Sequence, residues 1–166
     1  DILYGQEGND VMVGASGRDS LLGGPGEDLL SGGSDADSLL GGDGDDLLDG
    51  GDGNDRLYGE WHFPDRGVTG NRDTLSGGAG DDFLDGEAGN DELSGGLGND
   101  TLVGYAGNDT YVYRRGDGND QIDNDDITPS RVDTLKLLDL NPGDIRVGKG
   151  GKSDLVIVVL GTGESI

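Results

Sequence analysis

Aspartate recurs at every ninth residue along most of this chain. Asp10, Asp19, Asp28, Asp37, Asp46 and Asp55 form one run, and Asp82, Asp91, Asp100 and Asp109 a second. Each closes a six-residue segment with Gly first, often second and nearly always fourth: GQEGND, GASGRD, GGPGED, GGSDAD, GGDGDD and GGDGND, then GGAGDD, GEAGND, GGLGND and GYAGND. A carboxylate among glycines offers only oxygen ligands, its own and the free backbone carbonyls of an irregular turn. Such a set suits Ca²⁺, a hard cation that takes six or more oxygens in a flexible frame. Zinc and copper favour nitrogen and sulfur, and the chain has one His and no Cys. With no Cys there is also no disulfide framework.

Three residues separate each Asp from the next Gly, and the middle one, position eight, is apolar. It is Met12, Leu21, Leu30, Leu39, Leu48 and Leu57, then Leu84, Leu93, Leu102 and Tyr111. Gly-rich segments of six make tight turns, using backbone angles that Gly takes cheaply. The following three residues run extended, with position eight on one face and seven and nine on the other. Two nonapeptides then make one coil of a flattened right-handed parallel β-roll, an all-β fold. The position-eight side chains meet in one thin layer, and each side of the roll carries a column of turns whose neighbours are 18 residues apart. Asp35 stands where the fourth Gly belongs, a mild departure because Asp tolerates the left-handed region.

Regular windows cover 5–58 and 77–112. Between them, GEWHFPDRGVTGNRDTLS spans two periods but departs from the pattern. Either 59–67 form a degenerate repeat, with Pro64 in place of Asp and Arg66 facing the core, or about 61–69 loop out. In the second case Gly59, Glu60, Gly70, Asn71, Arg72 and Asp73 make one turn. The choice decides on which side of the roll the later repeats lie. After Val112 come two extra residues, Tyr113 and Arg114, then a window ending at Asp123 that keeps Gly118, Asp120 and Ile122. The roll is therefore expected over 1–123. Residues 124–166 are expected to form a β cap with strands near 132–140, 145–147 and 154–160, a turn at Asn141–Asp144 and a Gly/Lys turn at Gly148–Ser153. A solenoid needs such a cap to cover its open end.

The net charge is −24, with 35 Asp and Glu and 31% apolar residues. A chain so acidic and so poor in core residues sits near the disordered class unless something else supplies stability. Acidity argues against nucleic acid, which needs a basic surface. No stretch approaches the roughly 20 apolar residues of a membrane span. The G-x-G-x-x-G strings open no helix, and no acidic run has the closing Glu of an EF-hand loop. His62 reads as a surface residue, and Trp61 and Phe63 as packing of the loop onto the roll, with a sugar or partner contact as the sharper alternative. Arg114, Arg115, Lys136, Lys149 and Lys152 gather the scarce positive charge near the C-terminal end, as a cap on the acidic roll or a docking patch. No catalytic constellation stands out from the background of Asp, so the fragment itself is not read as an enzyme.

The repeated G-G-x-G-x-D-x-U-x pattern (U, a large apolar residue) over about 5–123 resembles the RTX (repeats-in-toxin) family of calcium-loaded β-rolls. TYVYRRGDGNDQI, DTLKLLDL and DLVIVVL resemble the region that follows such repeats. The resemblance implies that each Ca²⁺ lies between two turns of one column. The first turn supplies the carbonyls of positions two and four and the position-six Asp. The turn one coil later supplies the carbonyls of positions one and three and its own Asp.

On this chain that implies Gln6, Gly8 and Asp10 with Gly23, Pro25 and Asp28, then Gly24, Gly26 and Asp28 with Gly41, Asp43 and Asp46. In the other column it implies Ala15, Gly17 and Asp19 with Gly32, Ser34 and Asp37, then Gly33, Asp35 and Asp37 with Gly50, Asp52 and Asp55. Later come Asp73 with Gly86, Ala88 and Asp91, and Gly78, Gly80 and Asp82 with Gly95, Leu97 and Asp100. Glu87, Gly89 and Asp91 follow with Gly104, Ala106 and Asp109, and Gly96, Gly98 and Asp100 with Asp120. If the loop is extruded, Asp46 meets Asp73 and Asp55 meets Asp82; if 59–67 form a degenerate repeat, Asp55 meets Asp73 and one column has a gap at Pro64.

About eight to ten Ca²⁺ ions are expected, adding about +16 to +20. Affinity in the ~10⁻⁴–10⁻³ M range of extracellular modules would make the chain disordered without calcium and folded with it. The resemblance implies a module of a larger secreted protein of a Gram-negative bacterium, exported by a type I apparatus and folding outside. A polysaccharide- or host-surface-binding adhesin module is the alternative.

Overall fold

The nine-residue period folds as strand and turn in alternation. A computed structural model describes residues 1–61, 71–123, 132–149 and 155–159. The strands, in chain order, are β1 (Ile2–Tyr4), β2 (Val11–Ser16), β3 (Ser20–Pro25), β4 (Leu29–Ser34), β5 (Ser38–Asp43), β6 (Leu47–Asp52) and β7 (Arg56–Tyr58). There follow β8 (Thr74–Ala79), β9 (Phe83–Asp85), β10 (Glu92–Leu97), β11 (Thr101–Val103), β12 (Thr110–Arg114), β13 (Gln121–Asp123) and β14 (Thr134–Leu138). The odd-numbered strands to β13 form one seven-stranded sheet and the even-numbered strands a second. Every pairing in both is parallel, and most join residues 18 apart, such as Leu21 with Leu39 and Leu30 with Leu48. The chain is thus an all-β parallel solenoid, with no α-helix among the described residues.

One file of side chains joins the two sheets. Met12, Leu21, Leu30, Leu39, Leu48, Leu57, Leu75, Leu84, Leu93, Leu102 and Tyr111 form the core, and none is more than 7% exposed. All are position-eight residues, as alternation requires. Leu3, Ile122 and Leu135 pack against the ends of the file. A core one residue thick leaves little burial per residue, so the strands alone are a weak source of stability.

The interruption keeps the register of an extruded loop. Leu48 pairs with Leu75 and Leu57 with Leu84, each 27 residues apart instead of 18. The pairing therefore skips one nonapeptide's worth of chain, and later repeats keep their sides. Residues 62–70, with His62, Phe63, Pro64 and Arg66, lie outside the described part.

Three details differ from a strict six-plus-three division. Several strands run on through the first three residues of the next window, because that backbone also pairs between coils, as Gly24 does with Gly42. Position nine turns away from the core, yet Val103 and Val112 are buried, as is the extra residue Tyr113, whose hydroxyl donates to the Gly118 carbonyl at 3.0 Å. Strand β14, beyond the expected end of the repeats at 123, pairs in parallel with β12 and sets Leu135 beside Tyr111.

Beyond a 3-10 turn at Pro142–Asp144, β15 (Ile145–Lys149) and β16 (Leu155–Val159) form a separate antiparallel pair. Gly148 and Lys149 belong to β15 and not to the expected turn, and 150–154 lie outside the described residues. Of the basic residues near this end, Lys136 contacts Glu92 at 2.7 Å and Arg115 contacts Asp144 at 2.9 Å. Lys152 and the Lys149 side chain lie outside the described part.

Candidate metal centres in the two turn columns

Each position-six Asp spans two gaps between successive turns. Its Oδ1 reaches back and accepts the backbone N–H of the Asp one coil earlier. In one column Asp10 donates to Asp28, Asp28 to Asp46 and Asp46 to Asp73, all at 2.8 Å, then Asp73 to Asp91 at 2.9 Å and Asp91 to Asp109 at 3.0 Å. In the other, Asp19 donates to Asp37, Asp37 to Asp55, Asp55 to Asp82 and Asp82 to Asp100 at 2.7–2.8 Å, and Asp100 to Asp120 at 3.1 Å. The two extra residues at Tyr113 and Arg114 are absorbed without breaking that last link.

Oδ2 turns forward. It stands against the α-carbon of the Gly that opens its own turn, beside the position-one carbonyl of the next coil. At Gly5, both Asp10 Oδ2 and the Gly23 carbonyl lie 2.6 Å from where a side-chain carbon would be. Carbonyls enter the gap from both sides. Those of Gly24 and Gly26, positions two and four, face Gly42 and Gly44 of the next coil. Those of Gly23 and Pro25, positions one and three, face back and accept N–H groups of Gln6 at 3.0 Å and Gly8 at 2.9 Å. A carbonyl with one such bond keeps a second lone pair. Gln6, Gly8 and Asp10 are thereby brought against Gly23, Pro25 and Asp28, and the arrangement repeats along both columns.

The forward oxygens are the chemical signature. Oδ2 of Asp10, Asp19, Asp28, Asp37, Asp46, Asp55, Asp73, Asp82, Asp91, Asp100 and Asp109 is buried and has no hydrogen-bond partner. A buried, unpaired carboxylate oxygen is among the costliest groups in a protein. Eleven in register require a counter-charge, and an oxygen-seeking cation fits. Among the described residues no three His, Cys, Asp or Glu side chains group round a possible ion. Each regular gap holds two inward carboxylates, and carbonyls must complete the shell.

Burial shifts these groups strongly. It raises Asp73 and Asp91 to about 8, Asp46, Asp82 and Asp120 to about 7 and Asp100 to about 6; backbone hydrogen bonds oppose the rise and neighbouring carboxylates mostly add to it. Asp37 and Asp55 are raised by the same cause. An unfolded Asp titrates near 3.8–3.9, so the folded roll holds more protons than the unfolded chain between that value and about 8. Without calcium, stability is then greatest on the acid side and falls as pH rises through about 6–8. In chelator, far-UV circular dichroism should show more β-structure at about pH 5 than at pH 8. A signal equal at both, or larger at pH 8, would contradict the burial of these carboxylates.

The glycines divide by role. Position two, Glu60 apart, and most of position four hold left-handed backbone, with φ of 121° at Gly24 and 144° at Gly26, whereas Gly89 and Gly107 at position four do not. Gln6, Ala15, Glu87 and Tyr105 take it at position two, and Asp35 takes it at position four with φ 77°. Position one was also expected to use such angles, but Gly5, Gly14 and Gly77 do not. They are Gly for want of space. At Gly77 a side-chain carbon would meet Asp82 Oδ2 and, at 2.5 Å, the Gly95 carbonyl. Gly77→Ala is expected to cost about 3 kcal/mol, the upper end for overpacking. Gly143→Ala, with nothing within 4 Å, should cost under about 0.5 kcal/mol; calcium-dependent thermal denaturation compares them.

Across the gap before Asp109 the Glu87 carbonyl accepts the Ala106 N–H at 2.8 Å and keeps its second lone pair. The Tyr111 hydroxyl would lie 2.5 Å from a side-chain carbon at Gly104, which opens the same nonapeptide. Its burial and the charges of Asp109 and Asp133 keep it protonated. Asp133 was not among the expected ligands, yet its Oδ1 accepts the Asp109 N–H at 2.8 Å and continues the column. Its trace in the sequence is the D-x-L spacing of Asp133 and Leu135, obscured because no Gly turn precedes it. At the other end of the roll Asp1 opens the other column, the one of Asp19, its carbonyl accepting the Ser20 N–H at 2.9 Å.

Two stacked parallel sheets, a single-file core and two oxygen-lined columns define a calcium-type β-roll. The family model described as RTX calcium-binding nonapeptide repeat matches the chain in four copies, over residues 1–30, 31–61, 68–102 and 88–122. The chain belongs to the RTX calcium-binding repeat family. No curated protein matches it. No described helix is long and apolar enough to cross a membrane.

Proposed function

We propose that this RTX β-roll module serves a larger secreted protein as a calcium-triggered folding element. It would travel unfolded through a type I export apparatus where calcium is scarce and fold outside, where calcium is abundant. The supporting observation is the register of eleven buried, unpartnered Oδ2 atoms, which opposes folding until cations enter. The proposed ligands are the sets named from the resemblance, with Asp46 facing Asp73 and Asp55 facing Asp82, and Asp133 added beyond Asp109. RTX repeats are typical of proteins exported by this route, which supports the extracellular placement.

The test is a calcium titration followed by circular dichroism and equilibrium dialysis. Uptake of about eight to ten ions, concurrent with the gain of β-structure and not reproduced by Mg²⁺, is expected, since Mg²⁺ keeps its waters and demands octahedral geometry. Folding without uptake, or uptake of one or two ions, would overturn it.

A second reading, a surface-ligand module, draws on a shallow groove lined by Tyr4, Leu22, Pro25 and Trp61, with Gln6 and Glu7 at its polar side. Two aromatic rings over an apolar floor suit the face of a sugar ring. Glycan binding lost in Trp61→Ala at full calcium would favour it.

A further inference from the structure

Glu60 breaks the pattern of its column. It holds position two of the turn that carries the interruption, where Gly24 and Gly42 stand in the two preceding turns. Every other position-two residue from Gln6 to Tyr105 is left-handed, and Glu60 is not. The Glu60 carboxylate accepts hydrogen bonds from the backbone and the side chain of Asn71. Its Oε1, in contrast, is buried and has no partner.

Asn71 shows which gap the carboxylate occupies. It is position four of this turn and pairs with Gly89, position four of the next. Position-four N–H groups point to the following coil, as Gly8 does to Pro25, Gly26 to Asp43 and Gly89 to Ala106. A carboxylate resting on the Asn71 N–H therefore lies between turn 59–73 and turn 86–91. Asp73 faces the same gap. It is fully buried, its Oδ2 is unpartnered, and that oxygen and the Gly86 carbonyl together fill the space where a side-chain carbon at Gly59 would lie. Asp91 reaches in from the other side through Oδ1, which accepts the Asp73 N–H at 2.9 Å. The Glu60 charge is felt along the column, by Asp46, Asp73 and Asp91, so the Asn71 contact and not the charge places the carboxylate in this gap.

We infer that Glu60 is a side-chain ligand of the cation held between Asp73 and Asp91, giving that one gap three carboxylates where the others have two. The inference rests on the calcium reading above. As placed, the three do not close round one point; Glu60 stands on Asn71 at the rim, and the ion would draw Oε1 inward. The extra charge falls where the chain re-enters the roll after the extruded loop. A third anionic ligand raises affinity for Ca²⁺, so this site fills before its neighbours and fixes the re-entry of the chain.

A crystal structure of the chain grown with calcium is the direct test. A Glu60 oxygen within about 2.3–2.6 Å of the ion between Asp73 and Asp91 is expected. Ions along both columns with Glu60 still on Asn71 alone would overturn the inference and leave the calcium reading standing; columns without ions would overturn both.

In solution, Glu60→Gln should weaken the tightest calcium-binding step about ten-fold or more in calorimetric titration. Glu27→Gln, which removes the same charge from an exposed position two coils earlier in this column, should change it less than about two-fold. Equal effects would reduce Glu60 to general electrostatics. Should Glu60→Gln fail to form the roll at saturating calcium, Glu60→Asp, which keeps the charge but is one methylene shorter, takes its place with the same expected loss, and an unchanged first step would count against Glu60.

Discussion

Removal of calcium at neutral pH is expected to abolish the roll, leaving a chain with the far-UV spectrum of a disordered acidic polymer. The folded form at pH 7 must bury the position-six aspartates, Asp19 to Asp109 being at most 5% exposed. Their forward oxygens have no partner, and the chain carries a net charge of −24. Against this stands a core one side chain thick. About eight to ten divalent ions would return about +16 to +20, and each also supplies the missing partner for one forward oxygen. Ligands that bind only the folded state stabilise it by mass action, so folding should be steep in calcium concentration and reversible on adding chelator. Circular dichroism and hydrodynamic radius measured together check this. A compact β-rich chain persisting in chelator at pH 7–8 would remove the basis for a calcium switch.

Asp91→Ala should be the most damaging single substitution in the columns. Asp91 is 1% exposed and faces two gaps, through Oδ1 toward Asp73 and through Oδ2 toward the turn of Asp109. Truncation removes a ligand from both gaps and leaves the Asp73 N–H without its acceptor. Losing one partner of a buried charged set costs about 3–5 kcal/mol, and the stranded N–H adds about 1–3 kcal/mol. Calorimetry should count about two fewer ions. Asp10→Ala, near the end of the same column and with an Asp not among the buried ones, should cost less than half as much. Asp91→Asn separates the contributions, since its amide oxygen still accepts the Asp73 N–H while the charge is lost. Equal effects at Asp91 and Asp10 would contradict a shared-ligand column.

The period, the core and the ladder were legible in the sequence. Each depends on a residue type returning at fixed spacing: Leu21 stacks on Leu39 and Asp28 reaches Asp46 because every coil repeats the one before. Local angles were legible where a residue type demands them, as at Gly24 and Asp35. Other features depended on contacts between residues far apart. The spacing of 59–76 allows two registers, and only the pairing of Leu48 with Leu75 decides between them. Gly77 looks like another turn glycine, but the space it leaves is taken by Asp82 and Gly95, which only stacking brings there. Asp133 lacks the glycines of its class, and its place beside Asp109 depends on β14 joining the second sheet. Glu60 reads as a fault in a repeat until Asn71 shows which gap its carboxylate enters. A repeat specifies its own continuation through local geometry; where it is broken, the neighbouring coil supplies the constraint, because that coil presents the backbone and the carboxylates that the broken turn must meet.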